Sequence, residues 1–227
     1  MKRKHLASIL GVASFALVVG PSLEFRRLDE KRAEERAARF SPADYAWDLW
    51  DHRLPAALSH ARAADELIRL FNRDMKAAIA QGRTLGQSRV HAYLLGGQGQ
   101  IVAVEKDGLL VSVLPEDPGP EIRLCTGSFI SGNAIRDASG LVDVSGFSDT
   151  MKFNRISAEI NRIVVQEVIA PVLERTPEAG MRVRFVGAAE VAEDATEKTP
   201  FGGRERPEES NSPWHLLRVM PIRLEVE

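Results

Sequence analysis

The chain has 227 residues, with 30 Lys+Arg against 32 Asp+Glu, a formal net charge of −2 and a single cysteine. An acidic balance without a concentrated basic stripe excludes nucleic acid as a partner, because that affinity rests on neutralising phosphates. The lone Cys125 excludes an intrachain disulfide, so stability has to come from a packed core, which a chain of this length can build.

Lys2, Arg3 and Lys4 precede an apolar run from Leu6 to Gly20 that stops at Pro21. A positive end followed by an apolar stretch is the layout of a secretory signal or an anchoring segment. A span needs roughly 20 apolar residues; this run is shorter, but Pro21 and Ser22 interrupt it without adding charge, so that it stretches to Leu23 and, across Glu24, to Phe25. Residues 1–23 therefore read as a signal peptide, cut after Ser22, or as a membrane anchor, and both options stand. Arg26, Arg27, Lys31 and Arg32 oppose the orientation that the first three charges favour; the exported character of the folded part decides it. The expected location is the periplasmic side of a bacterial inner membrane, anchored or secreted. No cysteine lies near this boundary, so lipid attachment there is not expected. Without Lys2, Arg3 and Lys4 the basic count falls from 30 to 27 against 32 acids, a net charge of −5.

Residues 24–40 are charged and rich in helix formers, with Asp29 and Arg32 or Lys31 and Glu35 three or four apart, as in a solvated helical tether. A single domain is expected over 41–227. Ser41-Pro42 reads as an N-cap with proline in the first turn, opening a helix that carries Tyr45, Leu49 and Trp50 and ends near Pro55. A second helix is expected over Ala63–Ala80, with Leu67, Leu70, Phe71 and Met75 on its apolar face.

The period then changes to that of strands. Arg89–Gly96 and Gln100–Glu105 read as two strands joined by a turn at Gly96-Gly97-Gln98-Gly99. That glycine cluster lacks the lysine and hydroxyl ending of a phosphate loop and opens no helix. Further strands are expected at Leu109–Leu114 after the Asp107-Gly108 turn, at Glu121–Ile130, and at Leu141–Val144. Phe147 and Phe153 read as core anchors. The best-defined helix covers Arg155–Arg175, capped by Asn154, with Ile156, Ile160, Ile163, Val164, Val168, Val172 and Leu173 on one face. Met181–Val191 reads as a strand, 192–213 as a mobile acidic loop, and Trp214–Glu227 as a last strand in which Pro221 forces a bend, a bulge or an edge.

No catalytic motif, metal spacing or cofactor signature emerges, and none is expected. The five histidines, His5, His52, His60, His91 and His215, show no ligand spacing. Cys125 reads as a small buried apolar residue. In the segment Asn133-Ala134-Ile135-Arg136-Asp137, placed in a glycine-bounded loop, Arg136 offers a planar fork and Asp137 an acceptor. A structural ion pair and a ligand contact both fit these residues. For ligand binding the candidates are Arg136 and Asp137, with Asn133 and Arg123 as neighbours.

Five stretches, in order, resemble an uncharacterised bacterial family of predicted periplasmic lipoproteins, domain of unknown function twenty-two ninety-one. They are Tyr45–Trp50, Gly132–Ala138, Ile156–Asn161, Gly180–Ala188 and Pro221–Val226. The resemblance implies an envelope protein often associated with sugar-uptake transporters, and a small barrel-like sheet with helices. It supplies no catalytic residues, and the family's lipid-bearing cysteine has no counterpart in this leader. The expected fold class is α+β: a mainly antiparallel, curled or barrel-like sheet with an N-terminal helical pair and one long packed helix. The expected function is an envelope accessory or binding protein for a small polar solute or an ABC-transporter component, plausibly in sugar uptake. The competing classes are an envelope hydrolase with a carboxylate-based site and a structural protein-interaction module.

Overall fold

The computed structural model describes residues 40–116, 119–147, 150–193 and 216–227. The segment 1–23, the tether up to residue 39 and nearly all of the 192–213 loop lie outside the described residues. From Ser41 onward the chain forms one compact unit.

Helix α1 covers residues 42–58. It opens as the sequence dictates: the Ser41 hydroxyl accepts from the Asp44 N–H at 3.2 Å, and Pro42 stands where no N–H is needed. It does not stop at Pro55. A π-helical segment, Leu49–Arg53, precedes the proline, and the Leu54 N–H donates to the Leu49 carbonyl five residues back. The long helix α5, residues 150–173, repeats the device: Val164–Ile169 is π-helical, the Ala170 N–H donates to Val165, and Pro171 follows. Proline lacks the N–H for residue i−4 and its ring crowds that carbonyl. The wider turn carries each helix past its proline.

The expected second helix is two: α2, Ala64–Arg73, and α3, Met75–Ala80. Asp74 breaks them apart with an extended backbone (φ −152°) and caps α3, its carboxylate accepting from the Ala77 N–H at 2.9 Å. Leu67, Ile68 and Phe71 face the core, whereas Leu70 and Met75 are only half-buried.

The sheet has six strands: β1, Arg62–Ala63; β2, Val90–Glu105; β3, Gly108–Ser112; β4, Ile122–Cys125; β5, Arg182–Ala192; and β6, Leu217–Val226. Their order is β1-β2-β3-β4-β6-β5, and β5 returns to β2, which makes the sheet ring-like. Among the described residues, only the β1–β2 and β4–β6 pairs are parallel. The α+β class, the mainly antiparallel curled sheet and the long packed helix of the sequence reading are present.

The expected turn at Gly96–Gly99 is instead the middle of β2. That strand pairs with β5 from Val90 to Gln100 and with β3 from Gln100 to Glu105, so it serves both halves of the ring. The glycines are there for close approach: a side chain on Gly99 would fall on the Ser112 carbonyl, and one on Gly97 would sit 3.1 Å from Ala64 Cβ. A register shift between Ile101 and Ala103 completes the bend. Pro221 sits opposite Gly187, beside a second register shift, as its missing N–H requires.

Leu95, Ile101, Leu109, Val111, Ile122, Leu124, Phe185 and Val219 fill the interior, each large side chain contributing about 1.5–3 kcal/mol by leaving water. Cys125 is buried with them, and burial pushes its thiol up, so it is a packing residue. The expected Glu121–Ile130 strand is confined to β4, and Leu141–Val144 forms no strand; a 3-10 turn, Val144–Gly146, follows it. Helix α5 starts before Arg155, so Asn154 lies inside it and is no cap, and Leu173 is exposed. Phe153 is buried, while Phe147 is half-buried, packed edge-on against Tyr45 of α1 at 5.7 Å.

Gly99→Ala should destabilise the fold by about 1–3 kcal/mol, the usual cost of overpacking. Gly146→Ala, which meets nothing within 4 Å, should leave the denaturation midpoint unchanged. Equal midpoints for the two variants in urea titrations would contradict the account of β2.

Candidate functional site

The segment Asn133–Asp137 is not a loop but the start of helix α4, Ala134–Ser139, which ends on Gly140 in the left-handed region (φ +64°). Helix α4 packs against β2, β5 and α5. Arg136 is buried, 3% exposed. Its Nε donates to Asp137 Oδ1 at 2.6 Å; Nη1 donates to Asn154 Oδ1 at 3.2 Å and to the Phe153 carbonyl at 3.4 Å. The guanidinium lies 3.8 Å from the centre of the Phe153 ring. One arginine therefore ties α4 to the first turns of α5.

Glu190 on β5 joins this group. The Asn133 N–H donates to it. Burial, and secondly the Asp137 charge, raise its carboxyl above the ordinary 4.5, against the lowering effect of that N–H and of Arg136. Arg123 is elsewhere: its Nη2 pairs with Asp107 Oδ1 at 2.5 Å and Glu105 Oε2 at 2.7 Å, bracing the β2–β3 turn. Of the four sequence candidates, the structure brings together Asn133, Arg136 and Asp137, and sets Arg123 apart.

Next to the Arg136 group opens a cleft of about 530 Å³ between residues 128–133 and one stripe of α5. The stripe is Asn154, Ser157, Ala158, Asn161, Arg162 and Val165, three and four apart, with Gln166 beside it. Asn133 lines the opposite wall and makes no capping bond with its side chain. Asn161 Nδ2 donates to the Gly132 carbonyl at 3.1 Å and so fixes the two walls relative to each other. Ser157 is 4% exposed, and its Oγ has no hydrogen-bond partner in the protein. Phe129 stands at the wall 85% exposed.

Sequence reasoning reached Asn133 but missed Ser157, Asn154 and Asn161. Their signal is polar residues at helical spacing immediately beside the Ile156, Ile160, Ile163 face, a place where only one face was being sought. Among the described residues, no group of three His, Cys, Asp or Glu is arranged to hold a metal ion, and no helix is long and apolar enough to cross a membrane.

Arg136→Ala leaves the Asp137 carboxylate without its partner and should cost about 3 kcal/mol in urea denaturation, the range for breaking a buried ion pair. An unchanged midpoint would remove Arg136 from its structural role. Glu190 makes a second prediction. Its folded pKa is raised, so its contribution to stability is full below pH 4.5 and is lost as pH rises through the folded value. Glu190→Gln should therefore gain stability relative to the native protein as pH climbs from 4 to 7. A constant difference across that range would contradict this.

An OB-fold protein from Thermotoga maritima, solved by crystallography, is 26% identical to this chain, with a TM-score of 0.67 over 83% of this chain and 99% of that one. No curated protein matches the chain. The family described as "Predicted periplasmic lipoprotein (DUF2291)" matches residues 13–202. Its match takes in both walls of the cleft, and the chain belongs to that family of predicted periplasmic lipoproteins.

Proposed function

We propose that the protein is a periplasmic accessory that binds a small polar solute in the cleft beside α5, in the service of a membrane transporter. Sugar uptake through an ABC transporter is the process that the family resemblance implies. One observation carries the reading: a cleft of about 530 Å³ in which the amides of Asn133, Asn154, Asn161 and Gln166 stand beside the apolar Phe129 and Val165, a mixture suited to a small polar solute.

The carboxylate chemistry that a hydrolase needs is not supported by the same geometry. Glu190, whose carboxyl is raised, is not among the residues lining the cleft, and it accepts from the Asn133 N–H at the start of α4. Binding rather than catalysis is accordingly the reading adopted. In it, residues 1–23 hold the protein at the inner membrane or deliver it to the periplasm. The one cysteine of these 227 residues is buried in β4 and takes no part in attachment.

A thermal-shift screen of the full chain against small polar solutes, monosaccharides first, tests the function. A ligand at 100 times its Kd stabilises the native state by about 2.7 kcal/mol, which for a domain of this size raises Tm by roughly 5–10 °C. A saturable rise is the expected result; a flat response to every solute counts against solute binding and in favour of a protein partner.

A further inference from the structure

We infer that the solute held in the cleft carries a carboxylate, gripped between Arg162 and Gln166. This rests on the solute-binding reading above. Asn154, Arg162 and Gln166 are exposed side chains of α5 that line the cleft, and the protein's own hydrogen bonds decide which end of each remains for a ligand. An arginine only donates, so the amide atom it bonds is an oxygen. Arg136 Nη1 holds Asn154 Oδ1 at 3.2 Å, which leaves the Nδ2 amino group. Arg162 Nη1 holds Gln166 Oε1 at 2.9 Å, which leaves Nε2. Arg162 Nε donates to Glu159 Oε2 at 2.8 Å, which leaves Nη2. Among the described residues, none of these three remaining groups donates to a protein acceptor.

The helix wall of the cleft is thus a row of donors. Free Asn and Gln side chains both donate and accept; here two arginines have taken the oxygens of Asn154 and Gln166 and left the amino groups. Nη2 and Nε2 belong to the guanidinium and the amide that already touch, so they stand side by side, and the two oxygens of one carboxylate can accept from both. No Asp or Glu is among the described residues lining the cleft, and Arg162 is the one formal charge there. Its pair with Glu159 is exposed, 45% and 31% for the two side chains, and pairs so exposed are weak. A bond from a cationic donor to a carboxylate is roughly twice as strong as a neutral one. Asn133, Ser128 and Ser131 on the facing wall donate and accept, which fits hydroxyls on the rest of the solute.

The test is isothermal titration calorimetry of the full chain with matched pairs: D-glucuronate and D-glucose, D-galacturonate and D-galactose, L-lactate and L-lactamide. The acid of at least one pair is expected to bind about tenfold tighter than its neutral partner, or more, the difference that one charge-assisted hydrogen bond makes. Neutral partners binding as tightly as the acids overturn the carboxylate while leaving solute binding intact. Glucose 6-phosphate binding tighter than glucuronate overturns it in favour of a phosphate. No binding by any member of the panel overturns solute binding itself, and this inference with it.

Arg162→Ala tests the residue. An exposed ion pair adds little to stability, so Tm without ligand should hold, while affinity for the acid drops about tenfold or more. Unchanged affinity overturns the assignment. Arg155→Ala removes the same charge from the same helix at an exposed position that does not line the cleft. At physiological salt, where charges far apart are screened, it should leave the affinity as it is; an equal loss in both variants means attraction at a distance in place of contact, and overturns the grip by Arg162. Gln166→Glu keeps the oxygen that Arg162 holds but turns the other end from a donor into an acceptor. Binding of the acid should then be lost at an unchanged Tm, and undiminished binding would remove Gln166 from the site and overturn the inference.

Discussion

The architecture depends on one strand belonging to two neighbourhoods at once. β2 has to leave β5 on one side and reach β3 on the other within sixteen residues, and it can bend that sharply only where no side chain stands in the way. Gly97 and Gly99, facing Ala64 and the Ser112 carbonyl, supply that clearance. Once β2 is bent, the remaining strands have only one way round: β3 to β4, β4 in parallel to β6, β6 back to β5. A ring-like sheet of this kind leaves few unpaired edges, and its interior is filled by aliphatic side chains and Phe185. The cleft lies outside it, where α5 meets the long connection between β4 and β5.

That connection is organised by Arg136. A buried guanidinium is tolerated when it is paired and hydrogen-bonded, and here its Nε and Nη1 reach Asp137, Asn154 and the Phe153 carbonyl, with the Phe153 ring beneath. The result is a rigid corner joining α4 to α5. The cleft lies on the far side of this corner, and Asn161 spans to Gly132 to hold its other end. Two of the stretches that carry the family resemblance, Gly132–Ala138 and Ile156–Asn161, thus face each other across one small space.

The sequence made the strands, the long helix and the curled sheet legible because each has a period or a cap that survives without tertiary information. Ser41-Pro42 is such a cap. What failed to show has identifiable causes. Glycine marks a turn and a point of close approach with the same letter, so Gly96–Gly99 read as a hairpin tip. Proline ends a helix unless the preceding turn widens, and neither Pro55 nor Pro171 announces the π-helical segment that precedes it. Asn133–Asp137 looked like a loop because its helix is only six residues long and its C-cap is another glycine. Ser157 was invisible for a different reason. A polar residue beside an apolar helical face is ordinary in sequence, and only the packed structure shows that its hydroxyl is buried without a partner.

The order of the strands around the ring also sets an order in time. β6, residues 217–226, follows every other strand in sequence yet lies between β4 and β5, and β2 is separated from its β5 partners by most of the intervening chain. Pairings that distant are slow to form, since a large loop has to be closed before they repay its entropy. The sheet cannot be completed until residues 217–226 have been synthesised. The ring closes only when that last strand takes its place between β4 and β5.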